Sequence, residues 1–178
     1  SARGDVKESY SPNGKHVLHG APLRNGAPAQ PNSFAEHHEQ FVLASEALKK
    51  VHYEISRLAR IDFDVLIVGE TGVGKDLAAF EIHQRSARCG HPFVSISLRS
   101  LSPTLIESEL FGHERGAFSG AERAHVGKLE AANGGTVYIP EVSSLTEEVQ
   151  LKLLHFMQYK TINRVGQDNE TQLDVRVI

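Results

Sequence analysis

Apolar positions follow two alternating patterns along this chain, and each pattern predicts a different structural element. In the first pattern, apolar residues are three or four positions apart, as on the buried face of an amphipathic helix. Residues 45–59 carry this pattern through Leu48, Val51, Ile55 and Leu58. In the second pattern, short β-branched runs predict strands that are buried in a sheet. These runs lie at 65–68, 93–97, 136–139 and, as the start of a fourth strand, 174–178.

Polar residues in front of apolar stretches mark where further helices begin. Ser102 precedes Pro103, which is a typical helix start with serine as the N-cap and proline at the first position. Thr146 with Glu147 and Glu148 predicts a second start, for a helix that runs to about residue 159. The predicted buried face of that helix is formed by Val149, Leu153 and Phe156.

The alternation of strands and helices predicts the fold class. Such a chain forms an α/β fold, with a parallel sheet and helices on both of its faces. A sheet of this kind is not expected to finish on a core strand, as 174–178 would require. We therefore expect a domain that is truncated at the C-terminus.

Residues 1–33 differ from the rest of the chain in their content of turn-forming residues. They hold four of the seven prolines, namely Pro12, Pro22, Pro28 and Pro31. Proline and glycine at this density are typical of linkers. We predict a flexible linker or tail over 1–33 and the ordered domain over 34–178.

Composition and charge exclude several classes of function. The formal net charge is −3 and hydrophobic residues make up 40% of the chain, as in an ordinary globular domain. No strong basic field would let this segment bind nucleic acid by itself. The single cysteine, Cys89, cannot form an internal disulfide, and no apolar run approaches the roughly 20 residues of a membrane span. We expect a cytoplasmic location, and we expect the ten histidines to lie at the surface.

A glycine-rich segment, GETGVGK, lies between a predicted strand and a predicted helix that runs to about residue 85. It fits the G-x-x-x-x-G-K pattern in the context that this pattern requires. The glycines let backbone N–H groups point at phosphate oxygens, and the helix start adds its positive dipole. The predicted nucleotide-binding residues are Gly69, Glu70, Thr71, Gly72, Val73, Gly74, Lys75 and Asp76. Lys75 is expected to reach the β- and γ-phosphates, and the Asp76 carboxylate to meet Mg²⁺ directly or through water.

Four further motifs occur with this phosphate loop. They are ESELFGHERGAFSGA (107–121), GGTVYIPEV (134–142), NRVGQ (163–167) and DVRVI (174–178). In their order and spacing the chain, from about residue 40 to 178, resembles the AAA+ domain of bacterial sigma-54-dependent transcriptional activators, also called enhancer-binding proteins. The resemblance implies a P-loop NTPase fold that takes ATP and Mg²⁺ and self-associates into a ring, usually a hexamer. Hydrolysis in that family moves two surface loops that engage sigma-54 RNA polymerase at the promoter. The resemblance further implies that DNA is bound through a domain outside this chain, and we expect no membrane to be involved.

The resemblance also assigns the two surface loops. The first, which we call the contact loop because it would touch sigma-54, consists of Gly116, Ala117, Phe118, Ser119, Gly120 and Ala121. Phe118 and Ser119 are expected at its tip, since flanking glycines let a loop swing and an exposed phenylalanine is an apolar contact group. A plain surface loop with Phe118 tucked inward is the alternative. Arg164 and Val165 are assigned to the second surface loop, for which a simple turn near Gly166 is the alternative.

Three positions depart from the family pattern. Pro140 replaces an aspartate linked to magnesium, and proline has neither a carboxylate nor an N–H. Glu141 keeps the position of the catalytic carboxylate, which would polarise a water toward the γ-phosphate. Ser97 replaces an asparagine at the coupling switch position, and Ser119 replaces a threonine in the contact loop. We expect ATP binding to survive, and magnesium positioning, hydrolysis and its regulation to be weakened.

The sequence leaves three functions open, in descending order of support. The first is an ATP-driven activator of sigma-54 RNA polymerase, favoured by the phosphate loop, the contact loop and Glu141. The second is a nucleotide-binding regulator with impaired hydrolysis that acts as a switch or partner subunit, favoured by Pro140. The third is an unrelated P-loop enzyme such as a kinase, for which no acceptor site is visible. In the resembling family the trans-acting arginines and sensors lie beyond residue 178, so we expect the segment alone to be a poor ATPase.

Overall fold

The computed structural model of the chain describes residues 45–96 and 101–178, together with two short strands near the N-terminus. These strands, β1 (Ser9–Tyr10) and β2 (His16–Val17), pair antiparallel within a compact unit over residues 1–31. The remainder of the predicted linker over 1–33 lies outside the described residues, so the linker stays a prediction. The second unit begins at residue 32 and contains all the other elements.

The second unit has five described helices, and all but the short α4 begin close to where the sequence predicts them. They are α1 (Glu46–Leu58), α2 (Lys75–Gln84), α3 (Pro103–Phe111), α4 (Lys128–Ala131) and α5 (Glu147–Tyr159), with a 3₁₀ turn at Val142–Ser144. The Ser102 hydroxyl accepts a hydrogen bond from the Leu105 N–H at 3.4 Å, which confirms the predicted cap of α3. Thr146 occupies the N-cap position of α5, but its side chain makes no capping bond. Among the described helices, none combines the length and apolarity needed to cross a bilayer.

A parallel sheet forms the centre of this unit, which confirms the predicted α/β class. Its strands are β3 (Phe93–Ser95), β4 (Thr136–Tyr138) and β7 (Arg176–Val177), in the order β3-β4-β7. Along β4, Val137 packs into an apolar cluster with α3 and α5, whereas Tyr138 packs into another with α1 and α2. Because successive strand residues point to opposite faces, the helices cover both faces of the sheet.

The segment 65–68 departs from the prediction of a buried strand. It runs beside β7, where the Val65 N–H donates to the carbonyl oxygen of Val177 at 2.9 Å. Val65 and Ile67 pack against the cluster that contains α1 and α2. Leu66 and Val68 alternate with them and are 75% and 86% exposed, respectively. A continuous apolar run suggests burial on both faces, but here only one face is covered within the described residues.

An antiparallel hairpin was not predicted. It is formed by β5 (Thr161–Asn163) and β6 (Glu170–Gln172), which follow α5 directly. Its residues are mostly polar, and all three residues of β6 are exposed, so no apolar alternation marked it. The hairpin is important because its connecting turn carries the second surface loop.

Candidate functional site

The phosphate loop takes its shape from two glycines. Gly72 and Gly74 have φ angles of 84° and 90°, and a Cβ atom at either position would meet nothing within 4 Å. Glycine is therefore needed there for its left-handed backbone rather than for space. Lys75 is the first residue of α2. Its ammonium group donates to the carbonyl oxygens of Gly69 and Glu70, at 2.9 and 2.8 Å. The remaining residues of the loop are exposed.

A hydrogen bond that no sequence pattern indicated joins this loop to the central strand. The Tyr138 hydroxyl, at the end of β4, donates to Oδ1 of Asp76 at 2.5 Å. The pKa of Tyr138 is raised first by burial, then by the Asp76 bond and by the negative charge of Glu141. The bond thus brings the start of α2 and the end of β4, with the following Glu141, to one edge of the sheet. The two bonded residues are 62 positions apart, so no local pattern could reveal the contact.

Glu141 has an unusual backbone conformation. Its φ of 59° and ψ of 43° lie in the left-handed region, which costs a non-glycine residue about 1–2 kcal/mol. The N–H and the hydroxyl of Ser144 both donate to its carbonyl oxygen at 2.8 Å, which stabilises the turn. Its side chain is exposed, and the preceding Pro140 is half-buried. Strained residues of this kind cluster at functional sites.

The contact loop is folded back on itself. Gly116 and Gly120 have positive φ angles of 83° and 101°, and the Gly116 N–H donates to the carbonyl oxygen of Ala121 at 2.8 Å. Ser119 is exposed, as predicted, but Phe118 is half-buried. The Phe118 ring packs edge-on against the His113 ring, with the centroids 4.9 Å apart. The expectation of an exposed phenylalanine is therefore wrong, because this neighbouring imidazole gives the ring an aromatic contact.

The second surface loop is built into the base of the contact loop. The Val165 N–H donates to the carbonyl oxygen of Gly112, and its own carbonyl accepts from the Glu114 N–H, both at 3.0 Å. A Cβ atom on Gly166 would lie 2.9 Å from Cβ of Ala117, so the two loops are in close contact. We refer to residues 112–125 and 164–166 together as the loop platform.

Arg164 stabilises this platform through ion pairs. Its guanidinium pairs with Glu114 at 2.9 Å and with both carboxylate oxygens of Glu130, the nearest at 2.9 Å. Its side chain is only 22% exposed, and the hydrogen bonds that it donates to Glu130 and Glu114 raise its pKa. The structure thus places Arg164 and Val165 at a turn beside Gly166. The sequence singled out both residues but not the carboxylates that bind Arg164.

Two further predictions concern Ser97 and the histidines. Ser97, the predicted coupling switch position, lies outside the described residues. The expectation that the histidines lie at the surface fails for His83, which is 1% exposed and forms a 2.9 Å hydrogen bond with the Thr136 hydroxyl. Burial lowers the pKa of His83 to about 4.

The chain is similar to a group of bacterial regulators. The family described as "Sigma-54 interaction domain" matches residues 41–178. The C4-dicarboxylate transport transcriptional regulatory protein DctD of Pseudomonas aeruginosa is 41% identical over 149 residues, which cover 82% of this chain and 32% of that protein. The Psp operon transcriptional activator of Escherichia coli is 40% identical over 144 residues, which cover 81% of this chain and 44% of that protein. The chain therefore spans less than half the length of either relative.

A solved structure has the same fold. The crystal structure of NtrX from Brucella abortus in complex with ATP is 34% identical, with a TM-score of 0.71 over 78% of this chain and 29% of that one. The corresponding complex with ADP has the same identity and TM-score. The motifs, the parallel sheet and these similarities agree, and the chain belongs to the sigma-54 interaction domain family of P-loop NTPase domains.

Proposed function

We propose that this chain is the nucleotide-binding part of a sigma-54-dependent transcriptional regulator, and that it couples ATP hydrolysis to remodelling of the sigma-54 RNA polymerase closed complex. The observation that carries the proposal is the hydrogen bond from Tyr138 to Asp76. It draws the phosphate loop and the strand that leads into Glu141 to a common edge, within a chain that also carries the contact loop.

The phosphate loop fits the phosphates of ATP. Its two left-handed glycines leave the loop open, and its backbone leads straight into the positive end of α2. The Lys75 ammonium is held by two carbonyl oxygens of the loop. Phosphate oxygens would take the place of those carbonyls as its acceptors. The solved ATP complex of the related NtrX supports this assignment.

Asp76 also fits Mg²⁺, on the condition that phosphates supply further oxygens. Mg²⁺ is usually bound by one or two carboxylates together with substrate phosphates and waters. One oxygen of Asp76 accepts the Tyr138 bond, and Pro140 adds no ligand. When bound, the ion would neutralise phosphate charge. In this chain, Asp76 would hold it and Tyr138 would fix the orientation of the Asp76 carboxylate.

Glu141 is the proposed catalytic carboxylate. It follows β4 at the edge where Asp76 lies, and its side chain is exposed. A carboxylate in this place would accept a hydrogen bond from water and orient it toward the γ-phosphate. The left-handed backbone at Glu141 sets the direction in which the side chain leaves the strand.

The loop platform is the proposed surface for sigma-54. Ser119 at its exposed end and Phe118 beside it would form the contact, while Arg164 and Val165 join the second loop to the first. We propose that the protein self-associates into a ring, and that DNA is bound by another part of the full-length protein.

A second candidate function is favoured by Pro140. A proline at the end of β4 removes a carboxylate from the edge of the sheet where the phosphates would lie. A protein of this kind would bind ATP, hydrolyse it poorly, and act as a switch or as a partner subunit in a mixed ring.

Phosphate release by the full-length protein distinguishes the two candidates. The assay uses magnesium-ATP over a range of protein concentrations, with Glu141→Gln as the inactive control. Turnover per subunit that rises with concentration, and that Glu141→Gln abolishes, supports the ATP-driven activator. If turnover is absent and Pro140→Asp restores it, the switch is the correct function.

Binding to sigma-54 tests the partner separately. The full-length protein is mixed with purified sigma-54 and an ATP transition-state mimic, and complex formation is measured. We expect Phe118→Ala to weaken the complex and Leu151→Ala, at an exposed position on α5, to leave it unchanged. Failure of the unaltered protein to form any complex contradicts the sigma-54 assignment.

A further inference from the structure

His113 lies in the loop platform, three positions before the contact loop, and bridges to both His125 and Val165. We propose that His113 is a positioning residue, whose imidazole ring holds Phe118 against the platform and thereby controls when this phenylalanine is available to a partner. The inference rests on the proposed function of the contact loop. It adds a residue that holds the loop in the folded-back arrangement.

The His113 ring is fixed by hydrogen bonds at both of its nitrogens. Nε2 lies 2.9 Å from the carbonyl oxygen of Arg123, which can only accept, so Nε2 carries the hydrogen and donates. In the neutral ring Nδ1 is then an acceptor, and the Ser108 hydroxyl donates to it at 2.6 Å. Ser108 lies in α3 and is 4% exposed. A ring held at both edges offers Phe118 a rigid surface.

The backbone of His113 is also fixed, on two sides. Its N–H donates to the carbonyl oxygen of His125 and its own carbonyl accepts from the His125 N–H, at 3.0 and 2.8 Å. On the other side His113 forms a parallel bridge with Val165 of the second loop. The histidine therefore belongs to the hydrogen-bonded base of the platform. The segment between Gly116 and Gly120 has the glycines that allow movement.

The ring contact between His113 and Phe118 is weak enough to be reversible. An edge-to-face aromatic pair contributes enough to change a two-state population by roughly two- to tenfold. A partner that contacts the released Phe118 could overcome a bias of this size, since a ligand shifts such an equilibrium by its differential affinity for the two states. Without the His113 ring, the released arrangement should be more populated before any partner binds.

Fluorine NMR of a fluorinated Phe118 ring can measure this population. The full-length protein is labelled with 4-fluorophenylalanine, and the Phe118 signal is identified as the one that Phe118→Leu removes. We expect His113→Leu to move this signal toward its position in urea-unfolded protein and to increase its shift between H₂O and D₂O, which reports exposure to water. Ser108→Ala, which frees one edge of the imidazole, should give a smaller shift in the same direction. His155→Leu, at an exposed histidine of α5, is the matched control and should leave the signal in place.

The outcomes separate the inference from the proposed function. A Phe118 signal that does not move in His113→Leu, or that moves equally in His155→Leu, overturns the role of His113. If His113→Leu does not fold, Ser108→Ala decides in the same way. The melting temperature, measured alongside, reports a merely structural role, which would lower stability without moving the signal of the folded protein. None of these measurements uses sigma-54, so a negative result in the sigma-54 binding assay counts against the contact function alone.

Discussion

The phosphate loop and the loop platform are held in place in opposite ways. The phosphate loop is exposed, and its shape comes from two glycines in left-handed conformations, beside a lysine bonded to its own backbone. The platform joins two separate stretches of the chain, through the ion pairs of Arg164 and the backbone bonds of Val165, and the hydrogen bonds of His113 fix its first stretch. Local geometry thus defines one region and tertiary contacts define the other. Substitutions should therefore affect binding in the first region and stability in the second.

A glycine-to-alanine substitution, made once in each region, gives the largest expected difference in stability. An alanine Cβ at Gly127, beneath the platform, would lie 2.4 Å from the Gly112 nitrogen and 2.6 Å from the Leu110 carbonyl oxygen. These are backbone atoms that cannot move aside cheaply, so Gly127→Ala should destabilise the protein by about 3 kcal/mol or more. Gly72→Ala meets no atom within 4 Å and should cost only the left-handed backbone, about 1–2 kcal/mol.

Urea denaturation measures both values, and ATP binding measured by calorimetry should show the reverse order. Gly72→Ala should weaken binding strongly, because the alanine disfavours the loop conformation that presents N–H groups to phosphate. Equal losses of stability in the two variants would contradict the distinction between the regions.

A buried histidine in α2, the helix that follows the phosphate loop, makes the stability of the protein dependent on pH. Burial lowers the pKa of His83 in α2 from 6.5 to about 4. Between these two values the unfolded chain binds a proton that the folded protein does not, so stability falls as the pH falls. The loss between pH 7 and pH 4 should approach about 3 kcal/mol, with no contribution above pH 7. The free energy of unfolding can be measured by urea denaturation at several pH values in this range. It should change less with pH in His83→Gln than in the parent protein or in His155→Gln.

Removal of Arg164 should weaken the platform more than removal of a nearby arginine. Arg164→Met leaves the carboxylates of Glu114 and Glu130 without their shared cation and should cost about 2 kcal/mol, as expected for charged hydrogen bonds. Arg115→Met, at an exposed arginine of the same loop platform, is the control and should change stability by less than about 0.5 kcal/mol. Denaturation midpoints at low salt measure the difference. Similar losses in the two variants would show that the ion pairs do not hold the platform.

The smallest expected effect concerns the contact between the phosphate loop and the strand. Tyr138→Phe keeps the ring that stacks on Phe93 and removes only the hydroxyl that bonds to Asp76. We expect a loss of about 1 kcal/mol in the free energy of unfolding. Because Asp76 loses its orienting partner, the magnesium dependence of ATP binding should change as well. An unchanged magnesium dependence would show that Tyr138 does not position Asp76.

Features that depend on short stretches were determined by the sequence itself. The glycine spacing of the phosphate loop, the start of α3 at Ser102 and the buried face of α5 all follow from neighbouring residues, and the structure confirms the predicted elements. The parallel sheet followed from the alternation of elements. Local sequence patterns encode these features because backbone conformation and the direction of side chains repeat with a fixed period.

Only the tertiary structure decided which residues meet. Arg176 lies in a predicted apolar strand, yet it is 2% exposed and donates to the carbonyl oxygens of Leu58 and Phe63, which are more than 110 positions away. The Tyr138–Asp76 bond and the half-covered segment 65–68 are of the same kind. Each depends on how separate elements pack. A sequence pattern records the preference of one element for burial, but it does not record the identity of the atoms that another element brings to it.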